Sequence, residues 1–193
     1  MADEYNNPTE FGIETVGPFK DHPSFITSGH RPNHPITKDS LDESIKSLLS
    51  RGMEDTNEIN ICLRSIDGFY SFPQDTKLSE IPGRELADVI DFDPVREVFI
   101  IRGEVKPDIS SELMWFGFRV LEEYDYLCIM NIDGEWPMRI PELTDDRIEL
   151  GLNVAKKWKE GESFRSDGYR FIRGKNLEGL LERIIETLDQ KSQ

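Results

Sequence analysis

Apolar residues recur along the chain with two different periods, and the points where the period changes mark the elements. Leu41, Ile45, Leu48 and Leu49 fall on one face at helical spacing and predict a helix opening near Ser40. Ser40 with Glu43 three residues on fits a capping box, in which each side chain satisfies an orphan N–H of the first turn. Gly52 suits a left-handed stop. Strict alternation follows. Ile59, Ile61 and Leu63 point one way and Asn60, Cys62 and Arg64 the other, which is the signature of a strand. Asp67-Gly68 signals a hairpin turn with positive φ, and residues 69–72 return as its second strand. Residues 95–102 read as a further strand. KPDISSEL turns into a helix carrying Leu113, Phe116, Val120 and Leu121. Residues 126–132 read as a buried strand. Thr144 caps a helix with Ile148, Leu152, Ala155 and Trp158 on one side. Residues 169–172 form a short strand, and Asn176 opens a strongly amphipathic helix through Leu177, Leu180, Leu181, Ile184, Ile185 and Leu188. A hairpin with interleaved helices predicts an α/β fold, a mixed β-sheet flanked by helices.

Residues 1–37 stand apart. They hold five prolines (Pro8, Pro18, Pro23, Pro32, Pro35) and all three histidines, and they show neither period. They read as an extended Pro-rich arm lying on the body or on a neighbouring subunit, with residues 38–193 as the α/β domain.

Composition narrows the function classes. With 193 residues and 37% hydrophobic content, the chain suits one domain with a sizeable core. The net charge of −15 argues against binding nucleic acid or an anionic membrane, because phosphate attraction needs clustered Lys and Arg. A small phosphorylated or sugar-like ligand stays compatible, since a local pocket can oppose the global field. No apolar stretch approaches the roughly 20 residues that span a bilayer. MADEYNNPTEF is neither basic nor apolar, so the expectation is a cytoplasmic protein. Cys62 and Cys128 sit in apolar runs without CxxC spacing and read as buried free thiols rather than a disulfide.

Several residues carry candidate chemistry, each beside a plainer reading. Ser110, Ser111 and Glu112 at a helix start can bind an anion on free N–H groups, or simply cap the helix with Ser110 as N-cap. Asn131, Asp133 and Asp167 offer hard oxygen ligands suited to Mg²⁺, Ca²⁺ or Mn²⁺; Asp133-Gly134 and Asp167-Gly168 are equally ordinary turn signals. His30 and His34 have a zinc-like spacing, but Pro32 between them opposes the helix it needs. Trp115, Phe116 and Phe118 can face a ligand or fill the core.

Four stretches in order resemble the class II aldolase/adducin family: the helix and strand ending in NICLR, the hairpin DGFYSFPQD, the run RGEVKPDISSEL, and SDGYRFIRGKNLEGLLERI. Together they span about residues 38–188. The resemblance implies a class II aldolase-like fold. In that family three histidines, two from a His-x-His strand and one from Asn-His-Gly, hold a zinc ion that polarises a ketose carbonyl. The Glu of Ser-Ser-Glu moves the proton, and serines, threonines and glycine amides hold the substrate phosphate. Ser110, Ser111 and Glu112 match Ser-Ser-Glu, which makes Glu112 the catalytic candidate. Asn60 matches the strand asparagine and joins Ser110 and Ser111 as a ligand-binding candidate. The His-x-His positions fall on Asn131 and Asp133, and the third on Asp167, so every expected histidine is absent. The phosphate segment Thr-Pro-Ser-Gly reads Phe72, Pro73, Gln74 and Asp75.

The resemblance therefore implies a divergent member without zinc aldolase activity and without a cofactor, serving as a small-molecule-binding or interaction module; adducin is a precedent. The rival is a lyase or isomerase acting on a sugar phosphate, with Glu112 as acid/base and an oxygen-ligated metal. Rings formed by family members make a homo-oligomer the expectation by analogy.

Overall fold

The computed structural model describes residues 13–14, 24–27, 38–56, 58–132, 147–166 and 168–191. Their elements run β1 (Ile13–Glu14), β2 (Ser24–Thr27), α1 (Lys38–Ser50), β3 (Ile59–Arg64), β4 (Phe69–Ser71), β5 (Ala87–Asp93), β6 (Val98–Arg102), α2 (Ser111–Val120), β7 (Tyr126–Asn131), α3 (Arg147–Glu160), β8 (Ser163–Ser166), β9 (Tyr169–Gly174) and α4 (Leu177–Lys191). Among the described residues the nine strands form one sheet, in the order β1-β2-β6-β5-β4-β3-β7-β9-β8. Only β2 and β6 pair in parallel, so the sheet is mixed, with seven consecutive strands antiparallel.

Helices cover both faces. Cys62, Phe69, Val89, Ile101, Leu127, Ile129 and Phe171 point to one side, where Leu113 and Phe116 of α2 and Val154 and Trp158 of α3 pack on them. Ile59, Ile61, Leu63, Tyr70, Cys128, Met130 and Ile172 point to the other, against Leu41, Ile45 and Leu48 of α1 and Leu180 and Ile184 of α4. The alternation read from β3 is thus the division between two cores. Each fully buried Leu, Ile or Phe contributes roughly 1.5–3 kcal/mol. Strands covered on both faces lose their polar side, which is why β7 is almost continuously apolar. Cys62 and Cys128 are both buried and free, and they lie in opposite cores.

Helix ends follow partly from sequence. Gly52, at φ +92°, closes α1 as expected. Its N–H donates to the Leu49 carbonyl at 3.0 Å and that of Met53 to the Leu48 carbonyl at 3.2 Å, the paired bonds of a Schellman stop. Asn176 Oδ1 accepts from the Gly179 N–H at 2.8 Å and opens α4. The other end of α1 differs from expectation: the helix already begins at Lys38, so Ser40 is its third residue and not a cap.

Other corrections concern turns and faces. Gly68 does not have positive φ. It sits in the β3–β4 hairpin because a Cβ there would lie 2.0 Å from the Val89 carbonyl oxygen, where β5 bulges between Val89 and Asp91. Val95 is exposed in the β5–β6 turn, and the strand starts at Val98. Leu152 points to solvent at 59% exposure, while Val154, Ala155 and Trp158 make the buried face of α3. Within residues 1–37, which show no strand period, β1 and β2 extend the sheet beyond β6. The three histidines, Thr144, Asp133 and Asp167 lie outside the described residues.

Candidate functional site

The residues singled out at positions 60, 110, 111 and 112 come together. Asn60 projects from β3 on the α2 side of the sheet, and the turn 108–110 delivers the start of α2 above it. Asn60 Nδ2 donates to Ser110 Oγ at 3.0 Å and Ser111 Oγ at 3.2 Å. Its Oδ1 accepts from the Phe72 N–H at 3.1 Å and from Ser71 Oγ at 3.2 Å. Ser71 and Ser111 hydroxyls are 2.6 Å apart. Asn60, Ser71 and Ser111 are 0% exposed, and Ser110 and Glu112 are 1% exposed. One carboxamide therefore ties a strand, its hairpin partner and a helix into one buried network, with every bond inside the protein.

Asp108 lies beneath the helix start. Its Oδ1 accepts from the Ser110 N–H at 2.9 Å and from Ser110 Oγ at 2.6 Å. This Asx turn replaces the expected cap: the Ser110 side chain makes no capping bond to the helix and is turned back to Asp108. The remaining first-turn amides are also taken. Ser111 N–H donates to the Asp108 carbonyl at 3.0 Å, Glu112 N–H to the Ile109 carbonyl at 3.3 Å, and Leu113 N–H to the Ser110 carbonyl at 3.0 Å. Burial pushes the Asp108 carboxyl up to about 6, against the pull of its two bonds from Ser110, and nearby Asp75 pushes it further. Burial likewise raises the Cys62 thiol, which the hydroxyls of Ser71 and Ser111 and the Asn60 amide only partly offset.

The segment matching the phosphate loop lies over this network. Gln74 N–H donates to the Lys106 carbonyl at 3.0 Å and Asp108 N–H to the Phe72 carbonyl at 2.9 Å, so residues 72–74 and 106–108 run side by side. Pro73 is buried there and bridges Pro107. Asp75 takes φ +53° at the turn that follows.

Asn131, at the end of β7, pairs with Tyr169 across the β7–β9 ladder. Its Nδ2 donates to Glu58 Oε2 at 3.0 Å. Among the described residues no three His, Cys, Asp or Glu side chains gather as metal ligands would. Phe116 and Phe118 are buried core residues, and Trp115 is half-buried, its Nε1 donating to Asp91 Oδ1 at 2.7 Å.

Sequence reasoning missed Ser71, Asp108 and Glu58. Asp108 carried a signal, because Pro-Asp two residues before a serine is an Asx-turn pattern. Ser71 carried none, since its role depends on hairpin register placing it beside Asn60.

Neither a protein-family profile nor a curated protein sequence matches the chain. Solved structures do. YgbL from Escherichia coli, assigned provisionally as an aldolase, epimerase or decarboxylase, superposes with a TM-score of 0.61 at 12% identity over 80% of this chain and 86% of that one. L-fuculose-1-phosphate aldolase from Thermus thermophilus gives 0.58 at 16% identity over 80% and 90%. A sugar-phosphate aldolase from Thermotoga maritima gives 0.59 at 14% identity over 80% and 91%. The chain shares the fold of class II aldolase-like proteins. At these identities the likeness is one of fold, and the chemistry has to be argued from this chain's own residues.

Proposed function

We propose that this chain uses the aldolase fold without zinc aldolase chemistry, as an interaction module. The observation that carries this reading is the state of the α2 start. An anion site at a helix N-terminus works through unengaged N–H groups. Here the amides of Ser110, Ser111, Glu112 and Leu113 all donate within the protein. The hydroxyls of Ser71, Ser110 and Ser111 and the Asn60 carboxamide are spent on one another and on Asp108. A substrate phosphate would have to displace these bonds beside the buried Asp108 carboxyl. Asn131, where the family resemblance expects a zinc ligand, is held by Glu58 instead. Together these features support Asn60, Ser110 and Ser111 as structural groups.

Thermal unfolding in the presence of inorganic phosphate or L-fuculose 1-phosphate tests this. A ligand at about 100 times its dissociation constant stabilises a folded chain by roughly 2.7 kcal/mol. The expected result is no saturable rise in Tm with either ligand. A dose-dependent rise that disappears in Ser111→Ala contradicts the reading and returns the site to a sugar phosphate.

A further inference from the structure

On the sheet face opposite the Asn60 network, α1 and α4 leave a groove of about 700 Å³ between them. Leu180 and Ile184 of α4 are fully buried on the sheet. Leu177, Leu181 and Ile185 sit one helical step round, half-buried, and line the groove. The apolar arc of α4 is therefore wider than the sheet uses. This stripe runs roughly 12 Å from Leu177 to Ile185 at about 1.5 Å rise per residue, enough for two turns of a docked helix. The rim is acidic: Glu43, Glu178 and Glu182 are exposed along it, with Arg51 the basic residue in its lining. Among the described residues none of these three glutamates is held in an ion pair.

Charge decides what could fill such a groove. A second copy brings a net charge of −15 to an acidic rim. The chain's own segments outside the described residues are no better suited: residues 15–23 and 28–37 carry Lys20 and Arg31, but their prolines Pro18, Pro23, Pro32 and Pro35 oppose an amphipathic helix. Residues 1–12 carry Asp3, Glu4 and Glu10 and no Lys or Arg, and residues 133–146 carry five acids against the single Arg139. An apolar floor between acidic walls is complemented by a helix with apolar residues on one side and Lys or Arg flanking them. We propose that the α1–α4 groove docks a cationic amphipathic helix of another protein. The proposal goes beyond the reading of the α2 start and does not depend on it.

Fluorescence anisotropy with synthetic labelled helices tests it on the full chain. Three peptides are compared: leucines at i, i+4 and i+7 among lysines, the same composition scrambled, and the leucine pattern among glutamates. Saturable binding of the first is expected, with the scrambled peptide at least ~10-fold weaker and the glutamate peptide unbound. The exposed pair Glu178→Lys/Glu182→Lys should weaken the lysine peptide by at least ~10-fold and admit the glutamate peptide. Glu122→Lys/Glu160→Lys, away from the groove, should leave affinity nearly unchanged. Equal binding of patterned and scrambled peptides, or equal loss in the two charge-reversed pairs, would mean diffuse attraction to an acidic surface and overturn the proposal. So would a wild-type dimer in sedimentation that Leu181→Asp dissolves, because the occupant would then be a second copy.

Discussion

Asn60 shows how a residue that looks functional in sequence can also carry structure. As a polar residue within the apolar run 59–63 it stands out in sequence, and it matches a ligand-binding position of the family that the chain resembles. In the folded chain it is fully buried and makes four bonds, two through each end of its carboxamide. Asn60→Ala would orphan the Phe72 N–H and strip partners from three hydroxyls. Each buried unsatisfied group costs about 1–3 kcal/mol, so a loss of roughly 2–4 kcal/mol is expected in denaturant unfolding. A residue kept only for ligand contact would give little change. Asp108 yields a pH prediction. Its folded value of about 6 lies above the ordinary 3.8, so the folded state binds the proton more tightly than the unfolded state. Its contribution is therefore fully present below about pH 3.8 and is lost as pH rises to about 6, costing on the order of 3 kcal/mol. Asp108→Asn keeps the Oδ1 acceptor and removes the titration. The variant should gain stability over wild type progressively between pH 4 and pH 7, measured by urea unfolding at each pH. A difference that does not change across that range contradicts the assignment.

Elements were legible where period and packing agree. The strands β3 and β7 and the amphipathic α4 could be read because each presents a regular pattern to a core that uses it. The strand β5 could not be read, because its bulge between Val89 and Asp91 breaks the alternation. Polar, half-exposed β8 at the sheet edge offers no pattern at all. The assignment of Leu152 to the buried side failed because Gly151 is drawn against Phe116, which turns the next residue outward. Gly68 makes the point most sharply. Its turn signal was right and its reason wrong: the hairpin needs the missing Cβ, not positive φ. Gly68→Ala should therefore destabilise the packing of the β3–β4 hairpin on β5 by about 2–4 kcal/mol or abolish folding, since backbone blocks the methyl and cannot yield as a side chain does. A neutral substitution in thermal unfolding would show that the strand can withdraw.

At the scale of the molecule, the ordered set of weak motifs led to the right fold, a helix-flanked mixed sheet shared with aldolase-type structures. It did not reveal how the polar residues at the α2 start are used, because hydrogen bonding among residues far apart in sequence leaves no local pattern. The same residues can cradle a phosphate or close on one another, and only geometry separates the two. Here they close on one another, and the proposed reading is of a fold that persists without zinc aldolase turnover. The most direct measurement is a coupled assay for aldol cleavage of ketose 1-phosphates, run on the full chain with added Zn²⁺. On that reading no cation is held beside the carbonyl, and several kcal/mol of transition-state stabilisation are missing. The expected result is no cleavage above the protein-free rate and no difference between wild type and Glu112→Gln. Zinc-dependent turnover by the wild type that Glu112→Gln removes would contradict the account.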